Sequence, residues 1–392
     1  MNRAIYLALF FCSSLVTSGD AQTKYDLSIL VEGKLREFIV SVPSTPPPAL
    51  GYPLVMMLHG TSGDKDVFYN AKGWKELGEL ENFVTLFPSS LKWCYNDDGV
   101  IKNNSKFVCG DLVDKLCPSD TADLISDVFF FEQLIDRIMD TIPLDTNRIF
   151  GSGFSNGCCM ILKTGMEAGN IFKAVAGTAG SYHEVDSITP PVRVPVWFMV
   201  GNQDDRYIVP PFTEIPYGGD SVLFYLNKPI NRTLGSLGLT SVFVKTETEL
   251  TKTYHFSTCQ PGIQCAPYRF TLIKNLPHQY PNGNNHPVDA PLLFWNFFNN
   301  PPQVIVSTDQ NAKPEWVVTS FPNPSTGAMH IASGLQGQTV RMEMFNQLGM
   351  LVTAQVSTTG EFVINKEMTG PGIFFLHLET NGETTVKKIV FY

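Results

Sequence analysis

Two hydrophobic periods alternate along the first 300 residues. Leu35 to Pro43 alternates apolar and polar positions as an edge strand does, and Pro46-Pro47-Pro48 follows as a loop. Pro53 to Leu58 is apolar throughout, the mark of a strand buried on both faces. Gly73 to Glu81 is predicted as helix and Phe83 to Phe87 as a second buried strand. Asp123 to Met139 repeats at the helical period, with Phe130, Leu134, Ile135 and Ile138 on one face. Further strands are predicted at Arg148–Phe150, Lys173–Ala176, Pro195–Val200 and Tyr268–Ile273, with helices after Ser155 and over Ala290–Phe298. Strands alternating with helices specify a mostly parallel sheet covered on both faces, an α/β fold.

Three stretches break this rhythm. Lys92 to Thr121 is rich in Asn, Asp, Gly and Cys, and Pro210 to Leu239 in Gly and Pro. Both are expected as excursions over the carboxyl ends of the strands, where ligand sites form in such sheets. After Phe298 the helical period disappears. Residues 301–314 are expected as a linker, and 315–392 as a small all-β sandwich of short strands separated by Gly and Asn. The main domain is then 22–300, and residues 1–21 are a signal peptide. Arg3 supplies its positive end, Ala4 to Val16 its apolar core and Ser18-Gly19-Asp20-Ala21 its small-residue exit. That run is too short to span a membrane, and Phe10-Phe11 before Cys12 does not suit lipid attachment.

Export changes how the cysteines read. Of eight, seven follow the signal, so at least one thiol is left over from disulfide pairing within the chain. Cys259 with Cys265, and Cys109 with Cys117, are spaced to close small loops, although connectivity stays open. No C-x-x-C pair or His/Cys cluster suggests zinc, so neither metal nor cofactor is expected. A net charge of −9 without a basic stripe argues against nucleic acid and anionic membrane surfaces as partners.

Gly153-Phe154-Ser155-Asn156-Gly157 lies between a predicted strand and a predicted helix. A G-x-S-x-G in that setting is the nucleophile elbow of an α/β-hydrolase, whose triad runs Ser, then Asp or Glu, then His. Ser155 is the candidate nucleophile. Val194 to Val200 ends in Gly201-Asn202-Gln203-Asp204-Asp205, which places a carboxylate on the rim that holds the elbow. Asp204 is the candidate acid and Asp205 its rival. Tyr268 to Ile273 leads into His278, the candidate base. Of the other histidines, His286 sits in a looser loop, His255 within a strand, and His183 precedes the acid. His59-Gly60-Thr61 follows a buried strand, so the backbone N–H groups of Thr61 and Asn156 are the candidate oxyanion donors. His59 itself reads as a buried structural residue. Trp74, Trp93 and Tyr182 are candidates to flank the substrate at the mouth.

From about residue 30 to 300 the chain resembles the secreted esterase family of feruloyl esterases, acetylxylan esterases and polyhydroxybutyrate depolymerases. The resemblance lies in Leu58-His59-Gly60, Gly73-Trp74, Cys94, Asn147-Arg148-Ile149 before the elbow, Phe172 to Ala176, and His278-Gln279-Tyr280-Pro281-Asn282-Gly283. The last departs from the family's His-x-Trp-Pro-Gly through Tyr280 and the inserted Asn282. The resemblance implies cofactor-free acyl transfer through a serine ester, on an ester substrate carried by a polysaccharide or, alternatively, a polyester. A surface-binding protein that only retains the fold is the non-enzymatic alternative, and amide cleavage by the same triad a remoter one. The tail, with Phe321-Pro322-Asn323-Pro324-Ser325-Thr326-Gly327, Val340 to Gly349 and Gly370-Pro371-Gly372, resembles the C-terminal sorting domain of type IX secretion. It implies the type IX machinery as partner and an extracellular or cell-surface destination.

Overall fold

The computed structural model describes residues 22–305, 318–335, 338–380 and 383–392. The expected signal peptide, and residues 306–314 of the expected linker, lie outside them. A hairpin opens the fold: β1 (Thr23–Val31) pairs antiparallel with β2 (Lys34–Val42). β3 (Tyr52–Leu58), helices α1 (Lys65–Asn70) and α2 (Trp74–Glu81), and β4 (Val84–Pro88) follow. The first excursion is ordered as a hairpin, β5 (Lys92–Asp97) with β6 (Val100–Ser105), and two short helices, α3 (Leu112–Lys115) and α4 (Pro118–Thr121). α5 (Asp127–Met139) begins where Ser126 Oγ accepts the Phe129 N–H, later than the apolar period alone predicts. Then come β7 (Leu144–Phe154), α6 (Asn156–Glu167), β8 (Ala174–Thr178) and β9 (Val196–Gly201). The second excursion contains α7 (Ser221–Tyr225) and α8 (Asn227–Leu237). A hairpin of β10 (Phe243–Glu247) and β11 (Thr251–Phe256), then β12 (Tyr268–Ile273) and α9 (Ala290–Asn299), complete the domain.

These strands form one sheet in the order β1-β2-β4-β3-β7-β8-β9-β12-β11-β10. The strands from β4 to β12 run parallel, and both edges are antiparallel. With the serine turn at the end of β7, this is the α/β-hydrolase fold. The continuous apolar runs explain the burial. On β3, Leu54, Met56 and Leu58 enter one core while Val55 and Met57 enter the other; on β9, Phe198 and Val200 oppose Trp197 and Met199. Beneath β2, the buried Arg36 guanidinium pairs with Asp127 of α5 at 2.6 Å.

The tail folds separately. β13 (Thr319–Phe321), β14 (Ala328–Ala332), β15 (Val340–Asn346), β16 (Leu351–Ser357), β17 (Glu361–Asn365), β18 (Gly372–Thr380) and β19 (Glu383–Phe391) make two antiparallel sheets. Met329, Ile331 and Ile364 of one sheet meet Met342, Leu376 and Ile389 of the other in a core of their own. This small sandwich touches the hydrolase where Phe321 stacks on Phe212 at 5.8 Å, next to Phe224 of α7.

Candidate active site

The elbow is built by close packing. A Cβ on Gly153 would strike the Gly157 carbonyl, and one on Gly157 would strike the Leu58 carbonyl, so β3, β7 and α6 meet only because both residues are glycine. Ser155 itself adopts φ 53°, an uncommon conformation for a residue with a side chain. Its N–H donates to Thr178 O at 2.9 Å, which pins the turn to β8.

The loops after β9 and β12 complete the arrangement. His278 Nε2 lies 3.0 Å from Ser155 Oγ, and His278 Nδ1 lies 2.9 Å from both Asp204 carboxylate oxygens. A carboxylate only accepts, so Nδ1 carries the proton and Nε2 is left to accept from the Ser155 hydroxyl. Asp204 is fully buried and also accepts the Arg206 N–H at 3.0 Å. Asp205 turns outward instead, with Arg206 Nε 3.6 Å away. His286 is buried between Lys274 O and Val288 N, and His255 stands on β11 against Thr246 Oγ1, so neither reaches the serine. Asp204, Asp205 and His278 form the one metal-capable group among the described residues, and it overlaps this relay.

Two residues outside the relay hold it in place. Asn202 is buried at the end of β9: its Oδ1 accepts Asn275 N–H at 2.6 Å, its N–H donates to Ile273 O and its O accepts Ile215 N–H. It thereby ties the loop of the acid to the loop of the base. Sequence reasoning passed over it, though a polar residue directly after a buried strand is the kind of signal that marks such a tie. His59 is the second. Ser90 N–H donates to its Nε2 at 3.0 Å, so the ring proton sits on Nδ1, which donates to Gly60 O at 2.7 Å. Burial lowers the pKa of His59 and keeps it neutral. Because the Gly60–Thr61 peptide is trans, the Thr61 N–H points away from that ring.

A cavity of about 730 Å³ opens over Ser155 and His278, with Thr61 and Asn156 in its wall. The Asn156 N–H heads α6, where first-turn N–H groups have no helical partner. Its side chain serves the wall: Oδ1 accepts Phe107 N–H at 2.7 Å and Nδ2 donates to Phe107 O at 3.0 Å. The disulfide Cys109–Cys159 ties the same segment to α6, Asp127 accepts Val108 N–H at 2.7 Å, and Cys94–Cys117 closes the excursion on itself. Cys109 therefore pairs with Cys159 and not with Cys117, while Cys259–Cys265 forms as expected. Cys158 stays free, buried, with its thiol pushed up by burial and donating to Gly180 O.

The three aromatics expected at the mouth are elsewhere. Trp74 is buried beneath the His278 loop, its Nε1 donating to Tyr280 OH at 2.9 Å. Trp93 is buried inside the excursion with Nε1 on Lys106 O, and Tyr182 is buried with its hydroxyl on Asp186 O. The cavity wall is polar instead, with Asn104, Lys106, His183 and Arg206 among its residues.

Residues 319–392 match the family described as secretion system C-terminal sorting domain. The tail is a type IX sorting domain. The sequence matches no curated protein. Among solved structures, an acetyl xylan esterase from Aspergillus awamori is 13% identical, with 71% of this chain and 99% of that one covered and a TM-score of 0.44. An S-formylglutathione hydrolase from Agrobacterium tumefaciens is 11% identical, covering 72% and 95%, with a TM-score of 0.43. A ferulic acid esterase from Anaeromyces mucronatus, solved with ferulic acid, is 12% identical, covering 71% and 90%, with a TM-score of 0.42.

Proposed function

We propose that this protein is a secreted serine carboxylesterase acting on ester groups of a polysaccharide, of the feruloyl or acetylxylan type. The observation that carries the esterase reading is the continuous relay Ser155–His278–Asp204 at the foot of an open cavity. His278 takes the Ser155 proton as Oγ attacks the ester carbonyl, and Asp204 holds the imidazole and steadies the charge it gains. The Thr61 and Asn156 N–H groups receive the oxyanion. His278 then protonates the leaving alcohol and activates the water that hydrolyses the acyl-enzyme.

A polar cavity wall suits a hydroxyl-rich saccharide better than the repeating apolar units of a polyester, which supports the first substrate class over a polyhydroxybutyrate depolymerase. The decisive comparison is product release from methyl ferulate, acetylated xylan and polyhydroxybutyrate film. Clearing of the film with no ferulate or acetate released would overturn the polysaccharide reading. Replacing Ser155 by Ala is expected to lower p-nitrophenyl acetate turnover by about 10⁵–10⁶-fold. Turnover that survives S155A, or is absent from the unaltered protein, would sink the esterase reading altogether and return the chain to a binding role.

A further inference from the structure

Among the described residues, the cavity over Ser155 holds one half-buried ammonium that no carboxylate contacts directly. Its charged lining is Asp97, Lys102, Lys106, Asp111 and Arg206. Both carboxylates make ion pairs: Asp97 with Lys102 at 2.6 Å and Lys115 at 3.6 Å, Asp111 with Lys115 at 2.8 Å. Arg206 is exposed beside Asp205. Lys106 differs from all of these. It is half-buried, its Nζ stands 4.7 Å over the Tyr95 ring, and among the described residues that ammonium makes no ion pair or hydrogen bond.

Its position is fixed at the root. The Lys106 N–H donates to Leu91 O at 3.0 Å, and its carbonyl accepts Trp93 Nε1 at 3.0 Å. Burial lowers its pKa, the cost of withdrawing an ammonium from water, and the charges of Asp111 and Asp97 oppose that shift only from a distance. The residue that follows, Phe107, is clamped to Asn156, and Lys106 and Ser155 line the same cavity. The Lys106 ammonium therefore has hydrogen-bonding capacity left for an anion that enters the cavity.

We propose that Lys106 recognises an anion, and that the natural substrate is an ester bearing a carboxylate, as an ester of an acidic saccharide does. This rests on the esterase reading and names the substrate class for it. The carboxylate belongs either to the alcohol portion or to the acyl portion, and matched pairs separate the two. For the alcohol, acetylated methyl glucuronoside is compared with acetylated methyl glucoside; for the acyl group, monoethyl adipate with ethyl hexanoate. In the full-length protein, the charged member of one pair is expected to show a kcat/KM about tenfold higher, carried by KM, as one charge-assisted contact at a half-exposed site supplies. High salt narrows that ratio.

In Lys106→Gln the ratio falls to near one, in Lys106→Glu it inverts, and in Lys106→Arg it persists. A merely structural role would lower both members together and leave the ratio unmoved. Calorimetric binding of each pair to the Ser155→Ala protein reads the same preference without turnover. A preference there with no hydrolysis by the unaltered protein would leave anion recognition by Lys106 standing and remove the ester chemistry. No preference in either pair, or one unchanged in Lys106→Gln, overturns it.

Discussion

Asp204 and Asp205 are neighbours in sequence and opposites in environment. One is fully buried with both oxygens on His278, the other exposed beside Arg206. Asp204→Asn is therefore expected to lower kcat by about 10⁴-fold, since an amide favours the wrong imidazole tautomer. Asp205→Asn leaves kcat close to that of the unaltered protein, and steady-state kinetics on p-nitrophenyl acetate separate the two. His59 gives a second case. Its Nδ1–H holds the Gly60 carbonyl, so His59→Ala frees the peptide that presents Thr61 N–H. A loss in kcat approaching the roughly 10²-fold of one oxyanion donor, with KM spared, is the expected result. A fall in melting temperature with kcat intact would leave His59 a packing residue only. Ser155, Asp204 and His278 were legible because each follows a strand whose apolar run is unmistakable, and strand ends share a rim. The place of Trp74 and Trp93 was not legible. An aromatic's burial is decided by whether its N–H finds a partner inside, and Tyr280 OH and Lys106 O are brought there only by tertiary packing.

The β5–β6 excursion shows what an element adds to a relay. Composition marked it as irregular surface, yet it is a hairpin with its own small core of Trp93, Tyr95, Val108 and Leu112, tied to α6 by Cys109–Cys159. Cysteine spacing along the chain could not reveal that pairing, because partners 50 residues apart are joined by the fold and not by a turn. Replacing both cysteines by Ser removes a link worth up to about 4 kcal/mol in the chain-entropy account. A melting temperature lower by about 5 °C or more is expected. KM should rise more than kcat falls, since the wall loosens while the Ser155–His278 contact does not depend on it. The β11 edge makes a pH prediction. Burial first, and the Arg269 guanidinium across on β12 second, push His255 down to about 4. The unfolded chain then binds a proton the folded one refuses between the ordinary histidine pKa near 6.5 and about 4, so stability falls as pH drops through that window. His255→Gln should flatten the slope, read from urea unfolding at pH 7 and pH 4.5. An unchanged slope would assign the acid sensitivity to other groups.

At the scale of the whole molecule, two units with separate cores divide the work. The hydrolase sheet carries the relay on the carboxyl ends of β7, β9 and β12, and the sandwich of residues 319–392 carries the sorting signal. They meet at a cavity of about 870 Å³ where Phe212 and Phe224 face Phe321 and His330. That cavity adjoins the one over Ser155 through Ser181, Arg206 and Tyr207, but no described residue of the sandwich lines the latter. Removing residues 306–392 should thus leave turnover of a small ester near that of the full chain while abolishing export. Fractionation of a host with type IX secretion would show the full chain outside the cell and the shortened one held within, still active on p-nitrophenyl acetate. The freed Phe212 and Phe224 are then exposed, so the shortened chain should bind more of a hydrophobic dye than the full one, and Phe212→Ser should reverse the gain. Export of the shortened chain would place the sorting signal elsewhere. Loss of turnover with the fold intact would mean that the tail shapes the Ser155 cavity through the residues shared at its edge.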